Sequence, residues 1–294
     1  MTKRVLKKRL PKKGVGKKNP DMENSAKESG RLETLDLLRG ITLVSMILYH
    51  GMWDFLYLSE AGTAMTGLRL WYEGPGGHLW QQSICRTFIL LSGFCVPFSR
   101  HIFRRGLQVS AGGAAVSAVT LAVMYEERVL FGVLTFLGAA MLLTGFLQKA
   151  AVRLPHPVHK IYVFAAAACG YLFFVFRWVN AGFLRLRPGT QAALPDILYR
   201  YGSGGPAGSV LTGLGFPMQG FFSTDYFSLL PWIFLFWAGL FLHRCLASAA
   251  AGRAFSHPLF HLQVPVLNSM GRHSLLLYLL HQPALYLMTL LLFS

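Results

Sequence analysis

The sequence predicts an all-α, polytopic membrane protein, a helical bundle with about seven or more spans. Composition is the first observation behind this prediction. Of the 294 residues, 53% are hydrophobic and 14% are charged, and the mean hydropathy is +0.44. Such values are typical of integral membrane proteins and exclude an ordinary soluble domain. The second observation is that the apolar residues form runs long enough to cross a hydrocarbon layer about 30 Å thick.

Seven apolar segments are predicted to span the membrane. They cover residues 35–58, 84–99, 110–125, 129–149, 161–178, 227–246 and 273–293. The second and third segments are short for a full crossing, so we expect them to be tilted, extended or irregular.

The longest connection, residues 179–226, is rich in Gly and Pro and contains an apolar stretch at 207–222. A loop of this length is usually functional or disordered. We interpret it as an outward-facing lid or acceptor-facing loop, with 207–222 as a candidate re-entrant segment.

The N-terminal 32 residues differ from the rest of the chain. They hold 11 of the 28 Lys and Arg residues against three acidic residues, and they contain no apolar run. We predict a disordered basic cytoplasmic tail over 1–32 that contacts anionic membrane lipid, followed by one membrane domain over 33–294. The tail lacks the interleaved aromatic residues of a nucleic-acid platform, so nucleic acid is not an expected partner.

Loop charges predict the orientation. The only two lysines outside the tail, Lys149 and Lys160, fall in one loop, and the arginine-containing loops 100–109 and 244–272 lie on the same side of the predicted topology. The positive-inside rule then places the N-terminus in the cytoplasm and the C-terminus outside. One segment conflicts with this rule, because the predicted external segment 179–226 carries Arg185, Arg187 and Arg200.

The four cysteines, Cys85, Cys95, Cys169 and Cys245, lie in or beside apolar runs. None belongs to a CxxC pair, so the sequence predicts neither a disulfide framework nor a zinc site, and we expect no metal. A buried free cysteine behaves as a small apolar residue, which is the role we assign to all four.

The first span carries ionisable residues on one face. Asp36, Arg39, His50 and Asp54 lie within it, and at about 100° per residue Arg39 and His50 differ by only about 20° around the helix. Asp36 and Asp54 each lie about 60° from Arg39 on the same side. A charge at the membrane centre costs roughly 2.5–3.5 kcal/mol. The shared face therefore predicts a polar interior or a water-filled cavity.

This stripe has the groups that acyl transfer needs. His50 and Asp54 are one turn apart, and a carboxylate beside an imidazole fixes its tautomer and raises its basicity, which suits a general base. The alternative is a structural hydrogen bond between the two. Arg39 lies about 16 Å from His50 along the axis, which suits an anionic carrier whose reactive end reaches the membrane centre. The alternative for Arg39 is a snorkelling side chain paired with Asp36.

Two residues near the predicted outer boundary are candidates for substrate binding. Arg86 opens the second span at roughly the height of Asp54, and we expect either an ion pair between them or a role for Arg86 in binding the acceptor. Trp232 belongs with Asp225 and Tyr226 to a group at the start of the sixth span. This group is either an aromatic belt or a platform on which a sugar stacks.

The last span adds a second polar face. Ser274, Tyr278 and His281 fall on one side of a helix at the spacing of GRHSLLLYLLHQPAL. A second intramembrane histidine with a tyrosine on the same face is a further indication of a functional interior.

Together these motifs resemble one family. The segments RLETLDLLRGITLVSMILYHGMWD, FILLSGFCVPFSR, FGVLTFLGAAMLL, DYFSLLPWIFLFWAG and GRHSLLLYLLHQPAL are similar, in order and spacing over about residues 31–293, to bacterial relatives of the heparan-alpha-glucosaminide N-acetyltransferase catalytic domain. Arg39, ten intervening residues and then His50 also resemble the opening motif of the membrane acyltransferase-3 family.

The resemblance implies a transmembrane acyltransferase fold in the bacterial cytoplasmic (inner) membrane. It implies transfer of an acyl group from cytoplasmic acyl-CoA, with acetyl-CoA as the expected donor, to an amino sugar or hydroxyl of an extracytoplasmic glycan or glycolipid. His50 would act as general base, oriented by Asp54, and Arg39 and Arg86 would bind phosphates or stabilise developing negative charge. The remaining candidates for substrate binding are Asp36, Trp232, Ser274, Tyr278 and His281.

Two positions depart from the family pattern. Thr135 stands where the bacterial relatives usually have His. The active-site His of the animal enzyme lies in the loop before its second conserved span, where this chain has His78, but the spacing of His78 to Ser92 and Gly93 does not match. We therefore do not transfer that role to His78.

Two other function classes stay open at this stage. A proton-coupled transporter or flippase could use the same polar stripe as a proton relay, although no internal repeat is evident. A non-catalytic membrane scaffold would carry the motifs for packing only. Homo-oligomer formation also stays open.

Overall fold

The structure is a computed structural model that describes residues 32–151, 159–200, 205–249 and 253–293. Residues 33–294 form one compact unit. The predicted basic tail lies outside the described residues except for Leu32, so its disorder and its lipid contacts stay predictions.

Eleven α-helices and one β-hairpin make up the described part of the chain. The helices are α1 Glu33–Leu58, α2 Glu60–Thr63, α3 Thr66–Glu73, α4 Pro75–Phe94, α5 Ile102–Val123, α6 Val133–Ala151, α7 His159–Phe176, α8 Pro206–Leu214, α9 Leu229–Ala249, α10 Pro265–Arg272 and α11 Ser274–Phe293. The strands β1 Phe183–Arg187 and β2 Thr190–Ala193 pair antiparallel. The predicted all-α, multi-pass membrane fold is therefore confirmed.

Six helices in the described ranges are long and apolar enough to cross a membrane: α1, α5, α6, α7, α9 and α11. Helix α4 is not among them, although its 20 residues would extend about 30 Å at 1.5 Å per residue. Its apolar character is lowered by its first turns, PGGHLWQQ.

The direction of α11 indicates that α4 is a seventh crossing. Helix α11 runs parallel to α1, because Tyr278 packs on the Leu43 and Met46 cluster while Gln282, further along, donates to Asp54. Six alternating crossings would make the first and last helices antiparallel. A crossing by α4 restores the observed direction.

Contacts of α4 agree with this interpretation. It runs antiparallel to α1, since the Trp80 Nε1–H donates to Ser45 Oγ at 2.8 Å and Ile84, one turn on, packs against Leu43. It runs parallel to α9, where Gly93 meets Phe236 and Phe94 meets His243. We call the end of the bundle with Glu33 the Glu33 end and the opposite end the Leu58 end.

Several predicted boundaries were wrong. The second span was expected at 84–99, but α4 begins at Pro75 and ends at Phe94, because Val96–Phe98 form a 3-10 turn with Pro at its start. The third was expected at 110–125, whereas α5 begins at Ile102. Its first turn contains Arg104 and Arg105, which were assigned to a loop. The other five spans differ from the prediction by only a few residues.

The segment 179–226 is more structured than a loop. It contains the β1–β2 hairpin, which the sequence analysis did not predict, and helix α8 within the proposed re-entrant stretch. Helix α8 contacts the start of α9, and the Tyr226 hydroxyl donates to the Thr212 carbonyl. Tyr171 on α7 donates to the Leu186 carbonyl, which holds the hairpin against that helix.

The apolar core lies between α4, α6 and α9. Ile89, Phe136 and Phe236 are at its centre, with at most 3% of each exposed. Because lipid is as apolar as these side chains, close van der Waals packing rather than the hydrophobic effect holds such helices together.

Small residues allow the closest helix contacts. A Cβ built on Gly40 of α1 would lie 2.0 Å from the Leu267 carbonyl oxygen of α10, and one on Gly271 of α10 would lie 1.9 Å from the Asp36 carbonyl oxygen. Any side chain at either position would push these two backbones apart, so glycine is required there for steric reasons.

We predict that Gly40→Ala destabilises the protein, by about 1–3 kcal/mol as for other overpacked sites. Gly67→Ala is the matched control, because a methyl group at Gly67 would meet no atom within 4 Å. Thermal unfolding in detergent, followed by intrinsic fluorescence, should show a lower midpoint for Gly40→Ala alone. Equal midpoints for the two variants would mean that the α1–α10 contact can relax.

A labelling experiment tests both the orientation and the crossing of α4. In intact cells, a membrane-impermeant maleimide should label Gly67→Cys, which follows α1, but should label Ser256→Cys only after permeabilisation. If α4 did not cross, residues 67 and 256 would lie on the same side and would behave alike. The parent protein, with its four native cysteines, gives the background. The reverse labelling pattern would place the N-terminus outside.

Candidate active site

A polar cluster in the bundle interior lies where α1 meets α11. The rings of His50 and His281 are 5.1 Å apart between centroids, at an interplanar angle of 60°. One turn further along α1, Asp54 is fully buried, and its Oδ1 accepts a hydrogen bond from Gln282 Nε2 at 3.2 Å. Two helices that are distant in sequence thus bring four polar side chains together.

The tautomer of His281 follows from its hydrogen bond. Its Nδ1 lies 2.6 Å from the Tyr278 carbonyl oxygen, and a carbonyl oxygen only accepts, so Nδ1 carries the proton in the neutral ring. The other nitrogen, Nε2, then presents a lone pair. This atom is buried and has no hydrogen-bond partner among the described residues.

Two more buried acceptors in the same contact lack partners within the described ranges: Asp54 Oδ2 and Gln282 Oε1. Buried polar atoms are nearly always hydrogen-bonded, and each exception calls for an explanation. Here all three atoms are acceptors. The contact between α1 and α11 therefore suits a hydrogen-bond donor such as an amine, a hydroxyl or water.

The predicted orientation of His50 by Asp54 is not observed. Asp54 uses one oxygen for Gln282, and its other oxygen has no partner among the described residues. In an α-helix the i,i+4 spacing brings two side chains near each other but does not make them bond, and here Gln282 from α11 takes the carboxylate. The neighbour of His50 is His281 instead.

The predicted ion pair between Arg86 and Asp54 is also not formed. Arg86 donates from Nη2 to Gln82 Oε1 at 3.3 Å, and its guanidinium lies 5.9 Å from the Phe173 ring centroid on α7. Helix α4 begins at Pro75 and runs towards the Glu33 end. Arg86 follows Ile84 on this helix, so it lies further from the Leu58 end than Asp54 does, and its side chain faces α7.

Arg39 and Asp36 lie at the Glu33 end. Arg39 Nη1 is 3.2 Å from Asp36 Oδ1, and Asp36 is buried, so the pairing that was the alternative interpretation of Arg39 is present, while its role in binding the donor stays a prediction. Arg105 in the first turn of α5 lies close enough for its positive charge to act on Arg39. The polar stripe of α1 therefore has a cationic end separate from the two histidines.

The other predicted residues fall into two groups. Tyr278 belongs to the polar contact, with its ring 5.4 Å from that of His281 and 6.2 Å from Phe88, whereas Ser274 is half-buried at the start of α11, two turns before His281. Trp232 packs between Phe173 and Phe227, with ring centroids 5.3 and 4.8 Å away. These contacts cover Trp232 with apolar rings, which does not favour a sugar-stacking platform.

Sequence reasoning passed over two polar residues of the bundle interior. Gln282 follows His281 directly, and only the fold shows that it bonds to Asp54. His243 on α9 is buried among the rings of Phe94, Phe98 and Phe255, and its Nδ1 has no partner in the described part of the chain. A histidine inside the apolar sixth span was the available signal for His243.

A third polar residue, Asp225, lies just before α9. Its Oδ2 accepts from the Val133 backbone N–H at 3.2 Å and so holds the N-terminus of α6. Burial raises the pKa of Asp225 to about 6, and the Val133 N–H opposes this by favouring the carboxylate. Within the described residues, no group of three His, Cys, Asp or Glu side chains is placed to hold a metal ion.

Thr135, at the position where a histidine was expected, lies in the α5–α6 contact. A Cβ built on Gly113 of α5 would lie 2.6 Å from Thr135 Oγ1 and 2.7 Å from its backbone nitrogen. The first turn of α6 and α5 therefore approach closely at this point. His78, on the first turn of α4, is exposed.

Comparison with known proteins gives one match. The family model described as "Heparan-alpha-glucosaminide N-acetyltransferase, catalytic" matches residues 31–283, which covers all of the helices discussed above except the end of α11. No curated protein and no solved structure matches the chain.

The pKa of Asp225 predicts a pH effect on stability. A carboxyl whose pKa is raised in the folded protein contributes most to stability when the pH is below its ordinary pKa of 3.8. This contribution is lost as the pH rises through the folded-state pKa of about 6. Asp225→Asn keeps an acceptor for Val133 but does not ionise. We therefore expect its unfolding midpoint to exceed that of the parent at pH 7.5, with the difference shrinking towards pH 4.5.

Detergent-solubilised protein measured at both pH values gives the comparison, with Asp196→Asn on the surface as the control. A parent protein that is more stable than Asp225→Asn at pH 7.5 would show that the charge on Asp225 stabilises the N-terminus of α6.

Proposed function

The chain belongs to the heparan-alpha-glucosaminide N-acetyltransferase catalytic family, and on that premise we propose that it moves an acetyl group from acetyl-CoA to an amino sugar of an extracytoplasmic glycan or glycolipid. Family membership and the membrane-spanning helices support a membrane acetyltransferase in general terms. The donor, the acceptor and the residues that act on them are the proposal.

The contact between α1 and α11 carries this proposal. A protonated amine donates up to three hydrogen bonds, and the contact has three buried acceptors without partners among the described residues: Asp54 Oδ2, Gln282 Oε1 and His281 Nε2. An amine held there would be beside a neutral imidazole with a free lone pair. For this reason we favour an amine over a hydroxyl as the acetyl acceptor.

The reaction then follows from these groups. The imidazole of His281, with His50 as its neighbour, takes a proton from the ammonium and leaves a neutral, nucleophilic amine. The nitrogen attacks the thioester carbonyl and a C–N bond forms. The C–S bond then breaks, the nitrogen gives its second proton to the departing thiolate, coenzyme A leaves as a thiol, and the first proton passes from His281 to solvent. Asp54 and Gln282 would position the amine, because neither bonds to an imidazole in the structure.

The Glu33 end offers a place for the phosphates of the donor. Arg39 and Arg105 bring two positive charges to this end, and only Arg39 is paired with a carboxylate of a described residue, Asp36. Guanidinium groups bind phosphate through charge-assisted hydrogen bonds. Arg39 lies 11 positions before His50, so about 16 Å separates them along α1, a distance that the extended pantetheine arm of coenzyme A can cover.

We further propose that the protein lies in the bacterial cytoplasmic membrane with its N-terminus inside, as the loop charges indicate. Acetyl-CoA would then bind from the cytoplasm, and the acceptor would reach the histidines from the Leu58 end. Homo-oligomer formation stays open.

A proton-coupled transporter or flippase is the second candidate. The contact of His50 with His281 favours this second function, because two adjacent imidazoles can relay a proton. Purified protein with radiolabelled acetyl-CoA separates the two functions. A transferase labels an added amino sugar or slowly hydrolyses the thioester, whereas a transporter or a non-catalytic scaffold leaves the thioester intact.

We expect His50→Ala and His281→Ala each to lower acetyl transfer by about 10²–10⁴-fold, the usual contribution of a general acid or base. If the two imidazoles act together, the double variant should be little worse than either single variant. The assay follows transfer to glucosamine in detergent, and variant abundance in the membrane is measured in parallel. Asp54→Asn should reduce transfer less, since an amide retains one acceptor.

His78→Ala is the matched control, because His78 is exposed and lies on α4 outside the α1–α11 contact. Loss of activity in His78→Ala with full activity in His281→Ala would show that the active site is not at the α1–α11 contact. Loss of protein from the membrane in the His50 and His281 variants would show that these residues support folding.

A further inference from the structure

Three arginines come together where α7 ends and the β1–β2 hairpin begins. Arg86 lies on α4, Arg177 directly follows α7, and Arg185 lies on β1. The charges of Arg86 and Arg185 both act on Arg177. We call these three residues the arginine cluster.

Aromatic rings fix the guanidinium groups. Arg177 and Arg185 lie over the same indole, that of Trp178, at 5.6 and 5.3 Å from the ring centroid to Cζ. Arg86 lies 5.9 Å from the Phe173 ring, one turn before Arg177 on the same side of the chain. A guanidinium over an aromatic face keeps its in-plane N–H groups free for another partner.

Two of these donors are buried and without a partner among the described residues: Arg86 Nε and Arg185 Nε. The hairpin that carries Arg185 is held to α7 by the bond from Tyr171 to the Leu186 carbonyl. The position of Arg185 is therefore set by the fold and is not that of a side chain in open solvent.

No carboxylate of a described residue forms an ion pair with the cluster. Asp196 is paired with Arg200 at 3.4 Å, and Asp225 is held by the Val133 N–H. Asp225 also influences Cys85, the neighbour of Arg86, but it makes no hydrogen bond to an arginine. Among the described residues, these positive charges thus repel one another without a paired carboxylate.

The side of the membrane on which the cluster is predicted to lie also matters. Arginines at the predicted external end run against the usual placement of positive charge on the cytoplasmic side. Since no carboxylate in the part of the chain that the structure describes pairs with them, these arginines suit an anionic ligand.

We propose that the arginine cluster is a binding site for a phosphate group, where α7 meets the β1–β2 hairpin. A phosphate monoester carries nearly two negative charges at neutral pH and several acceptor oxygens, which match three guanidinium groups better than the single charge of a carboxylate. The site is separate from the histidine contact and does not depend on the reaction proposed above.

The phosphate can come from a free anion, a soluble sugar phosphate or a lipid headgroup, and the experiment uses one probe for each source. Protein in dodecyl maltoside, which contains no phosphate, is titrated with inorganic phosphate, with glucose 1-phosphate and with short-chain phosphatidic acid. Isothermal titration calorimetry gives the affinity, and the unfolding midpoint gives an independent reading.

Arg185→Gln removes one charge and one buried donor, and Arg187→Gln, two residues along the same strand and exposed, is its control. We expect saturable binding of at least one probe, weakened at least tenfold in Arg185→Gln and unchanged in Arg187→Gln. The tightest probe identifies the source of the phosphate. Arg185→Lys keeps the charge without the planar fork, so intermediate binding is expected.

Equal affinities in the two glutamine variants, or no saturable binding of any probe by the parent, would overturn the site. If Arg185→Gln does not fold, Arg177→Gln is compared with Arg187→Gln under the same criterion. Acetyl transfer by these proteins is measured separately. Phosphate binding without acetyl transfer would support this site and contradict the proposed enzymatic function. Acetyl transfer without phosphate binding would support the enzymatic function and contradict this site.

Discussion

The contact between α1 and α11 is the constraint on which the rest of the bundle depends. It places a fully buried carboxylate, two imidazoles and an amide in a segment that is otherwise apolar. An unpaired buried charge costs about 3–5 kcal/mol, so these groups must be kept from lipid and given partners. Helix α11 supplies Gln282 for Asp54, and α4 packs against α1 through Trp80 and Ile84. The parallel direction of α1 and α11 also requires an odd number of crossings from α1 to α11.

Arginines in two parts of the bundle have different neighbours. At the Glu33 end, Arg39 pairs with the buried Asp36, and glycines at positions 40 and 271 let α10 lie directly on α1 beside this pair. In the arginine cluster, by contrast, Arg86, Arg177 and Arg185 have aromatic rings as neighbours, and no described carboxylate pairs with them. A cation on a ring remains available to an anion, whereas a cation in an ion pair is largely compensated. The same physical rule therefore leaves the arginine cluster open to an anionic ligand.

Family membership and geometry contribute different information. The family match over residues 31–283 supports an acetyltransferase in general terms, but it does not identify a base, a donor site or an acceptor. The geometry adds that the neighbour of His50 is a second histidine rather than Asp54, and that the atoms of the α1–α11 contact that lack partners among the described residues are all acceptors. These two observations shift the expected chemistry towards an imidazole pair acting on a hydrogen-bond donor.

The sequence by itself determined the membrane class, the approximate spans, the family resemblance and the polar face of α1, because hydropathy and the 3.6-residue period are local properties of the chain. It also placed Arg39 beside Asp36, which are three residues apart on one helix. Helix ends were less predictable: α4 begins with the polar turns PGGHLWQQ, which a hydropathy criterion excludes. Only the tertiary structure decided that Asp54 bonds to Gln282, that Arg86 faces α7, and that Arg185 joins Arg86 and Arg177. Each of these contacts joins residues from separate segments, and a side chain with several partners within reach takes the one that helix packing brings closest.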